Sequence, residues 1–350
     1  MDVNSKITIN DVAELSGVSP STVSLVINNH PRISPATAQK VRAAAKKIGY
    51  EPGRASIRKG HRPKSRRPAS YRKMQVALIT QVKPMLLETP VYSKLLRGIA
   101  DELGKMDYNL IIRNLPEENP EQAIPHKIDG AILFHVNAIQ SNAKLFRELR
   151  RIPCVTVMGQ AEEGEFFDHV TYNNRSIGKL AAEYLLSKDN KTFLFLGNRV
   201  PADNWFNLRG KDFISTVRKA GAKAYEILAD NLIDESRNMQ LPNVKNFCAA
   251  IEKMRQLPEL PTAIFVLADI YISGLYHSLK HYDIIPGRDV EIVGVNNDSN
   301  MLNHLIPRPA SVDIHPEDIG RKAVERLLWR IENPKEPLGK ILIEPEMAFS

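Results

Sequence analysis

Residues 7–52 constrain the chain most. The run Ile7-Thr-Ile-Asn-Asp-Val-Ala-Glu-Leu-Ser-Gly-Val-Ser-Pro-Ser-Thr-Val-Ser-Leu-Val-Ile-Asn28 breaks at Gly17 into two short apolar-striped stretches. A third stretch opens at Ser34-Pro35 and closes at Gly49-Tyr50-Glu51-Pro52. The pattern predicts a helix from about Ile9 to Ser16, capped by Thr8 or Asn10, with Val12, Ala13 and Leu15 as its apolar stripe. Gly17 suits the turn because it tolerates positive φ. A second helix is expected to start at Ser19 as N-cap, with Pro20 at the first helical position, and to bury Val23, Val26 and Ile27. Its other face carries Ser21, Ser24, Leu25 and Asn28. A third helix has Ser34 as N-cap and Val41, Ala44, Ala45 and Ile48 as buried positions, ending at Gly49. Two short helices around a tight turn, followed by a third, form the layout that lays one helix in the major groove of DNA. Short polar side chains on the outward face of the second helix suit that role.

Charge points the same way. The net charge of +8 is concentrated: residues 54–73 hold nine Lys/Arg and no acid. Such a segment beside a groove-reading unit indicates a polyanionic partner. The chain has 350 residues, 43% of them hydrophobic and 25% charged, enough for two or three ordinary domains. Its two cysteines, Cys154 and Cys248, have no metal-ligand spacing, so neither a disulfide framework nor a zinc site is expected and a reducing cytoplasm fits. The first residues form no apolar signal-peptide core, and no apolar run approaches the ~20 residues that span a bilayer.

The segment Asp11-Val-Ala-Glu-Leu-Ser-Gly-Val-Ser-Pro-Ser-Thr-Val-Ser, continued through Asn28, Ser34-Pro35 and Gly49-Tyr50-Glu51-Pro52, resembles the N-terminal signature of the lactose-repressor (LacI) family of bacterial transcription regulators. The resemblance implies that Thr8, Ser19, Pro20, Ser21, Thr22, Ser24, Leu25 and Asn28 face DNA, joined by Arg54, Arg58 and Lys59. Two departures stand out. The family commonly places an Arg that reads a base where this chain has Leu25, and leucine touches a thymine methyl but forms no bond to guanine. The family's hinge helix, with a Leu that wedges into the minor groove, is also altered. Gly53 replaces an Asn, Ser56 stands where an Ala is expected, and Lys59 falls where the Leu would be; Ile57 is the only nearby apolar wedge. Gly60, Pro63 and Pro68 discourage a continuous helix, so residues 60–73 read as a flexible basic linker, which either follows phosphates and enters the minor groove or serves as a solvated tether.

From Met74 the chain alternates strand and helix. Strands are expected at 75–80, 109–113, 130–134, 153–158, 192–196, 263–267 and 289–295, and helices near 91–105, 139–150, 175–187, 207–220 and 270–281. Apolar strands alternating with helices mean parallel sheets covered on both faces, in two successive lobes with a ligand cleft at the strand carboxyl ends. The body resembles the periplasmic-binding-protein-like (type I) sensor of the same family. Leu95-Leu-Arg-Gly-Ile99, Asp129-Gly-Ala-Ile-Leu133, Asn173-Asn174, Leu208-Arg-Gly210, Val293-Gly-Val295 and Ile319-Gly-Arg-Lys-Ala-Val324 carry the resemblance, and residues 343–350 fit the last strand. The sensor half is also similar, less specifically, to xylose-responsive regulators. The expected organisation is therefore an all-α three-helix headpiece at 1–53, a basic degenerate hinge at 54–73, and a two-lobed, discontinuous α/β sensor at 74–350. The resemblance implies three crossings between lobes, near 170, 296 and 325–340.

The same resemblance assigns the effector cleft. Tyr92 supplies an aromatic after the first strand. Asn207 stands where an Arg is common, Ala268-Asp269 where Asn-Asp is common, and Asn296 where an Asp is common. Trp205 lies beside Asn207 as a candidate for stacking on a sugar, and His135 ends a strand near the cleft. Amides and an indole suit a neutral polyhydroxylated ligand better than an anion, which relies on charge-assisted bonds. The expected function is a homodimeric DNA-binding regulator, a repressor, that binds a palindromic operator under control of a small effector, a neutral sugar, in the bacterial cytoplasm. No cofactor, metal or membrane is expected, and no catalytic motif occurs: there is no G-x-S-x-G elbow, P-loop or G-x-G-x-x-G opening a helix. An effector-independent DNA binder with weak sequence preference and a sugar-binding protein without DNA function are the alternatives.

Overall fold

The computed structural model describes residues 8–27, 33–50, 73–81, 89–136, 142–159, 166–199, 205–234 and 241–349, with backbone alone at 21, 205–207, 233–234 and 241–242. Asn28, Arg54, Arg58 and Lys59, with the rest of the basic segment up to Arg72, lie outside the described residues. The chain forms two compact units, Met1–Arg72 and Lys73–Ser350.

The first unit holds α1 (Ile9–Ser16), α2 (Pro20–Ile27) and α3 (Pro35–Lys47). Its core is small and aliphatic: Val12, Ala13, Val23, Val26, Val41 and Ala44, with Ile27, Ala45, Ile48 and Tyr50 packed around them. One expected core position is wrong. Leu15 is 45% exposed, and Ser16 is buried in its stead, its hydroxyl donating to the Val12 carbonyl at 2.6 Å. That local bond satisfies the hydroxyl and lets a polar residue occupy a core position. Gly17 ends α1 at φ 61°, in the left-handed region.

The second unit contains two six-stranded sheets. The first lobe is built from β1 (Gln75–Thr80), β2 (Asn109–Asn114), β3 (Gly130–Phe134), β4 (Cys154–Val157) and β5 (Asp168–Tyr172), with α4 (Pro90–Lys105) and α5 (Ala143–Leu149). The second lobe contains α6 (Asn174–Leu186), β6 (Thr192–Asn198), α7 (Trp205–Lys219), β7 (Lys223–Ala229), α8 (Val244–Arg255), β10 (Ala263–Val266), α9 (Ile272–His281), β11 (Glu291–Val295), α10 (Ser299–Leu302) and β12 (Ala310–Asp313). A short antiparallel pair, β8 (Ile233–Asp234) and β9 (Leu241–Pro242), follows β7. The chain then returns through α11 (Pro316–Glu332) and β13 (Lys340–Ile343) to the first lobe, and ends in the second with β14 (Glu346–Ala348).

The first sheet runs β13-β5-β4-β3-β1-β2, with every pairing parallel. The second runs β14-β12-β11-β10-β6-β7, parallel except where β14 pairs antiparallel with β12. Each order reverses beside its first strand, between β1 and β3 and between β6 and β10. Ligands of open α/β sheets bind at such switch points, beyond the strand carboxyl ends.

The crossings differ from expectation. The first lies at 172–174, between β5 and α6, close to the expected place. The second lies at 313–316 and the third at 343–346, not near 296 and at 325–340. The cause is β12: it pairs with β11, so the chain stays in the second lobe past Asn296. Likewise α11 packs on α4 in the first lobe and spans the region given to the third crossing. Asp168, fully buried at the start of β5, holds this return. It accepts from Arg330 Nε at 2.5 Å, Arg326 Nη2 at 2.6 Å and the Gly339 amide at 2.7 Å. β7 and α8 are two further elements not expected from sequence.

Candidate nucleic-acid interface and ligand cleft

In the first unit, local hydrogen bonds set the ends of the two short helices. The Thr8 amide and hydroxyl both donate to Asp11 Oδ2, at 2.6 and 2.8 Å, and these two bonds hold the Asp11 carboxyl below its usual range. Ser19 caps α2 by accepting from the Thr22 amide at 3.2 Å, and the two hydroxyls lie 2.9 Å apart. Thr8 therefore caps α1 and Thr22 is a partner of the Ser19 cap, and a DNA contact from either would add to that role. With Val23 and Val26 buried, the opposite side of α2 presents Ser24 and Leu25. Leu25 is 37% exposed and does not extend the core stripe. Ser19 and Pro20 are exposed at its start. The Ser21 side chain lies outside the described residues, as do the Trp205 and Asn207 side chains in the second unit.

In the second unit, the structure brings Tyr92 and His135 together at the first switch point. The Tyr92 ring meets Phe134 edge-on, with centroids 4.7 Å apart, and lies 6.0 Å from His135; Phe134 and His135 are 4.6 Å apart. His135 has φ 48°, which turns the chain out of β3. Burial pushes the His135 imidazole down to about 4, so it is neutral at physiological pH. Burial, helped by Tyr172, pushes the Tyr92 phenol up, so it stays a hydrogen-bond donor.

Beside them lies a residue that sequence reading passed over. Arg209 is 1% exposed, in the second turn of α7. Its guanidinium donates to Asn174 Oδ1 at 2.8 Å, the Leu267 carbonyl at 2.6 Å and the Tyr172 hydroxyl at 3.1 Å. It thus ties the first crossing to the end of β10. The only sequence signal was its place in Leu208-Arg-Gly210. Three of its N–H donors, one on each nitrogen, are directed at these protein acceptors.

Asp269 is corrected as a ligand contact. It is 1% exposed, and both oxygens are engaged: Ser311 Oγ donates to them at 2.9 and 3.0 Å, and the Asp298 amide donates to Oδ2 at 2.8 Å. A Cβ at Gly294 would lie 2.1 Å from Asp269 Oδ1, so the strand needs glycine there to admit the carboxylate. Asp269 positions the loop after β11 rather than facing a ligand. Asn296, in that loop, donates its amide to the Val312 carbonyl at 2.8 Å and has φ 107°. Asn297 follows at φ 48°; its amide donates to Ser311 Oγ at 3.0 Å and its Nδ2 to Asp313 Oδ2 at 3.0 Å. Lys94, on α4 of the first lobe, donates to the Asn297 carbonyl at 2.9 Å.

A separate cavity of about 620 Å³ lies against α7, lined by Lys211, Arg218, Lys219 and Glu226 among others, and none of the expected site residues lines it. Among the described residues no group of three His, Cys, Asp or Glu is placed to hold a metal ion, and no helix is long and apolar enough to cross a membrane.

Comparison with known proteins adds two matches in chain order. Residues 8–53 match the family model for bacterial regulatory proteins, lacI family. Residues 182–348 match that for a periplasmic binding protein-like domain. The ribose operon repressor of Escherichia coli (strain K12) is 24% identical over 355 residues, covering 97% of each chain. Among solved structures, a transcriptional regulator CelR–cellobiose complex superposes with TM-score 0.63 at 19% identity, covering 98% of each chain. A lac repressor dimer bound to operator and an anti-inducer superposes with TM-score 0.61 at 16% identity, covering 99% of this chain and 98% of the other. The chain thus carries a helix-turn-helix domain of the lacI family of bacterial regulatory proteins at 8–53, followed by a periplasmic binding protein-like domain at 182–348.

Proposed function

We propose that the protein is a transcription repressor that works as a homodimer on a palindromic operator and is controlled by a neutral sugar between the lobes of its body. The observation that carries this reading is the exposed face of α2, with Ser24 and Leu25 opposite a fully packed core. A recognition helix needs that division between a buried stripe and a readable face. The names of its relatives support it: one represses a ribose operon, one is complexed with cellobiose, and one is a dimer on its operator. For the ligand, the support is physical. Tyr92 and the neutral His135 offer ring faces and hydrogen bonds, while the charges of Arg209 and Lys94 are already directed at protein acceptors. The residues assigned to DNA, the boundaries at 53 and 73, the sugar and the cytoplasmic location belong to this proposal. The absence of enzymatic activity belongs to it too, and the lobes serve binding alone.

Footprinting on random-sequence duplexes, repeated with a panel of neutral and phosphorylated sugars, tests it. The expected result is protection of a symmetric site that one or more neutral sugars weaken or strengthen. Equal binding to scrambled competitor DNA at physiological salt would overturn the regulator reading. A response confined to phosphorylated sugars would overturn the neutral ligand.

A further inference from the structure

Lys94 is a cation placed across a boundary. It sits in the second turn of α4, in the first lobe, and its ammonium donates at 2.9 Å to the Asn297 carbonyl in the second. That carbonyl is a fixed acceptor. The Asn297 amide is held by Ser311, its Nδ2 by Asp313, and its Oδ1 accepts from Arg308 Nη2 at 3.0 Å. The next residue, Asp298, is 2% exposed, and its Oδ1 has no hydrogen-bond partner. Two carboxylates, Asp269 and Asp298, are buried behind the carbonyl, and Lys94 is the cation that lowers the pKa of both. Asp313 and Arg308 are the other charged groups facing the loop. A buried carboxylate with an unpaired oxygen is costly unless a cation is near, so the second lobe gains from keeping Lys94 in place.

We propose that Lys94 is an interlobe latch. Its bond to Asn297, backed by the Asp298 carboxylate, holds the two lobes together when no ligand is bound. The Lys94 bond is a non-covalent link between the lobes beside the three hinge segments at 172–174, 313–316 and 343–346, and its acceptor Asn297 is itself held by Asp313 at the second of them, so it constrains the lobe rotation that the covalent crossings leave open. Given the ligand-controlled function proposed above, an effector acts by breaking or reinforcing this contact, because a ligand shifts a conformational equilibrium only through unequal affinity for its states.

Hydrogen exchange of the full chain, without DNA or sugar, tests the latch itself. A bond from a charged donor contributes enough that its loss should speed opening by about tenfold. Lys94→Met and Lys94→Gln are expected to keep the native far-UV circular dichroism and to exchange about tenfold faster both at 89–97 and, across the boundary, at 296–303. Acceleration confined to 89–97, or none, would overturn the latch and leave the DNA reading untouched. The regulatory half is read separately, as operator affinity with no sugar present. It should differ severalfold between Lys94→Met and the native protein, and equal affinity despite a loosened 296–303 segment would overturn that half.

Discussion

Asp298 shows how one buried group imposes a pH dependence on the whole chain. Burial pushes its carboxyl up to about 7; Lys94 opposes the shift and Asp313 adds to it. The folded value lies above the unfolded one, so the folded state binds a proton that the unfolded state releases. The stabilising contribution is complete below the unfolded pKa, near 4, and is lost as pH rises through about 7. The native protein should therefore lose about 1 kcal/mol more than Asp298→Asn between pH 6.5 and pH 8. Thermal unfolding of both proteins at the two pH values checks this, and parallel shifts would contradict it. His135 and His169, both depressed to about 4, change stability with pH near the unfolded histidine value, but they do so equally in both proteins and cancel in the comparison. The same side chain illustrates what sequence conceals. Asp298 reads as a polar loop residue, and only the packing of β12 and the segment before α9 around it turns it into a buried acid.

At the scale of an element, α2 is the part whose chemistry sequence reading resolved best. Its cap, its buried stripe and its exposed Leu25 all follow from local spacing, since Ser19 can reach the Thr22 amide only in a helical turn. Leu25 puts an apolar side chain on the exposed side of the helix where the family usually has a guanidinium. Leu25→Arg is expected to move the selected operator toward guanine at one position of each half-site, with a discrimination of ~1–3 kcal/mol. Selection of bound duplexes from a random pool reads this directly, and identical selected sites for both proteins would show that Leu25 does not face a base. In α1 the same reading failed at Leu15, because either of two adjacent residues can complete a helical stripe and Ser16 could satisfy its hydroxyl within the helix. The return elements failed differently. β12 is four residues long, and nothing in its sequence states which sheet it joins.

For the whole molecule, the uneven charge along the sequence sets the salt dependence expected of DNA binding. The nine basic residues at 54–73 adjoin the headpiece, whereas the rest of the chain after Lys73 is slightly acidic. If those side chains follow phosphates, each neutralised phosphate adds roughly 0.9 to the slope of log affinity against log salt. Replacing Arg62, Arg66 and Arg67 by Gln is expected to lower that slope by about 2 to 3 without changing the selected sequence. An unchanged slope would make the segment a tether alone.

The sequence by itself determined the three-helix headpiece, its capping residues, the alternating α/β body and the likeness of the headpiece to the lacI family, because these rest on contacts between residues near in the chain or on a pattern repeated along it. Tertiary structure alone decided where the chain changes lobes, that Asp269 faces inward to hold a loop, and that Arg209 and Lys94 are committed to acceptors in distant segments. Those outcomes depend on which strands lie side by side, and the cost of burying charge without a partner then selects the pairings.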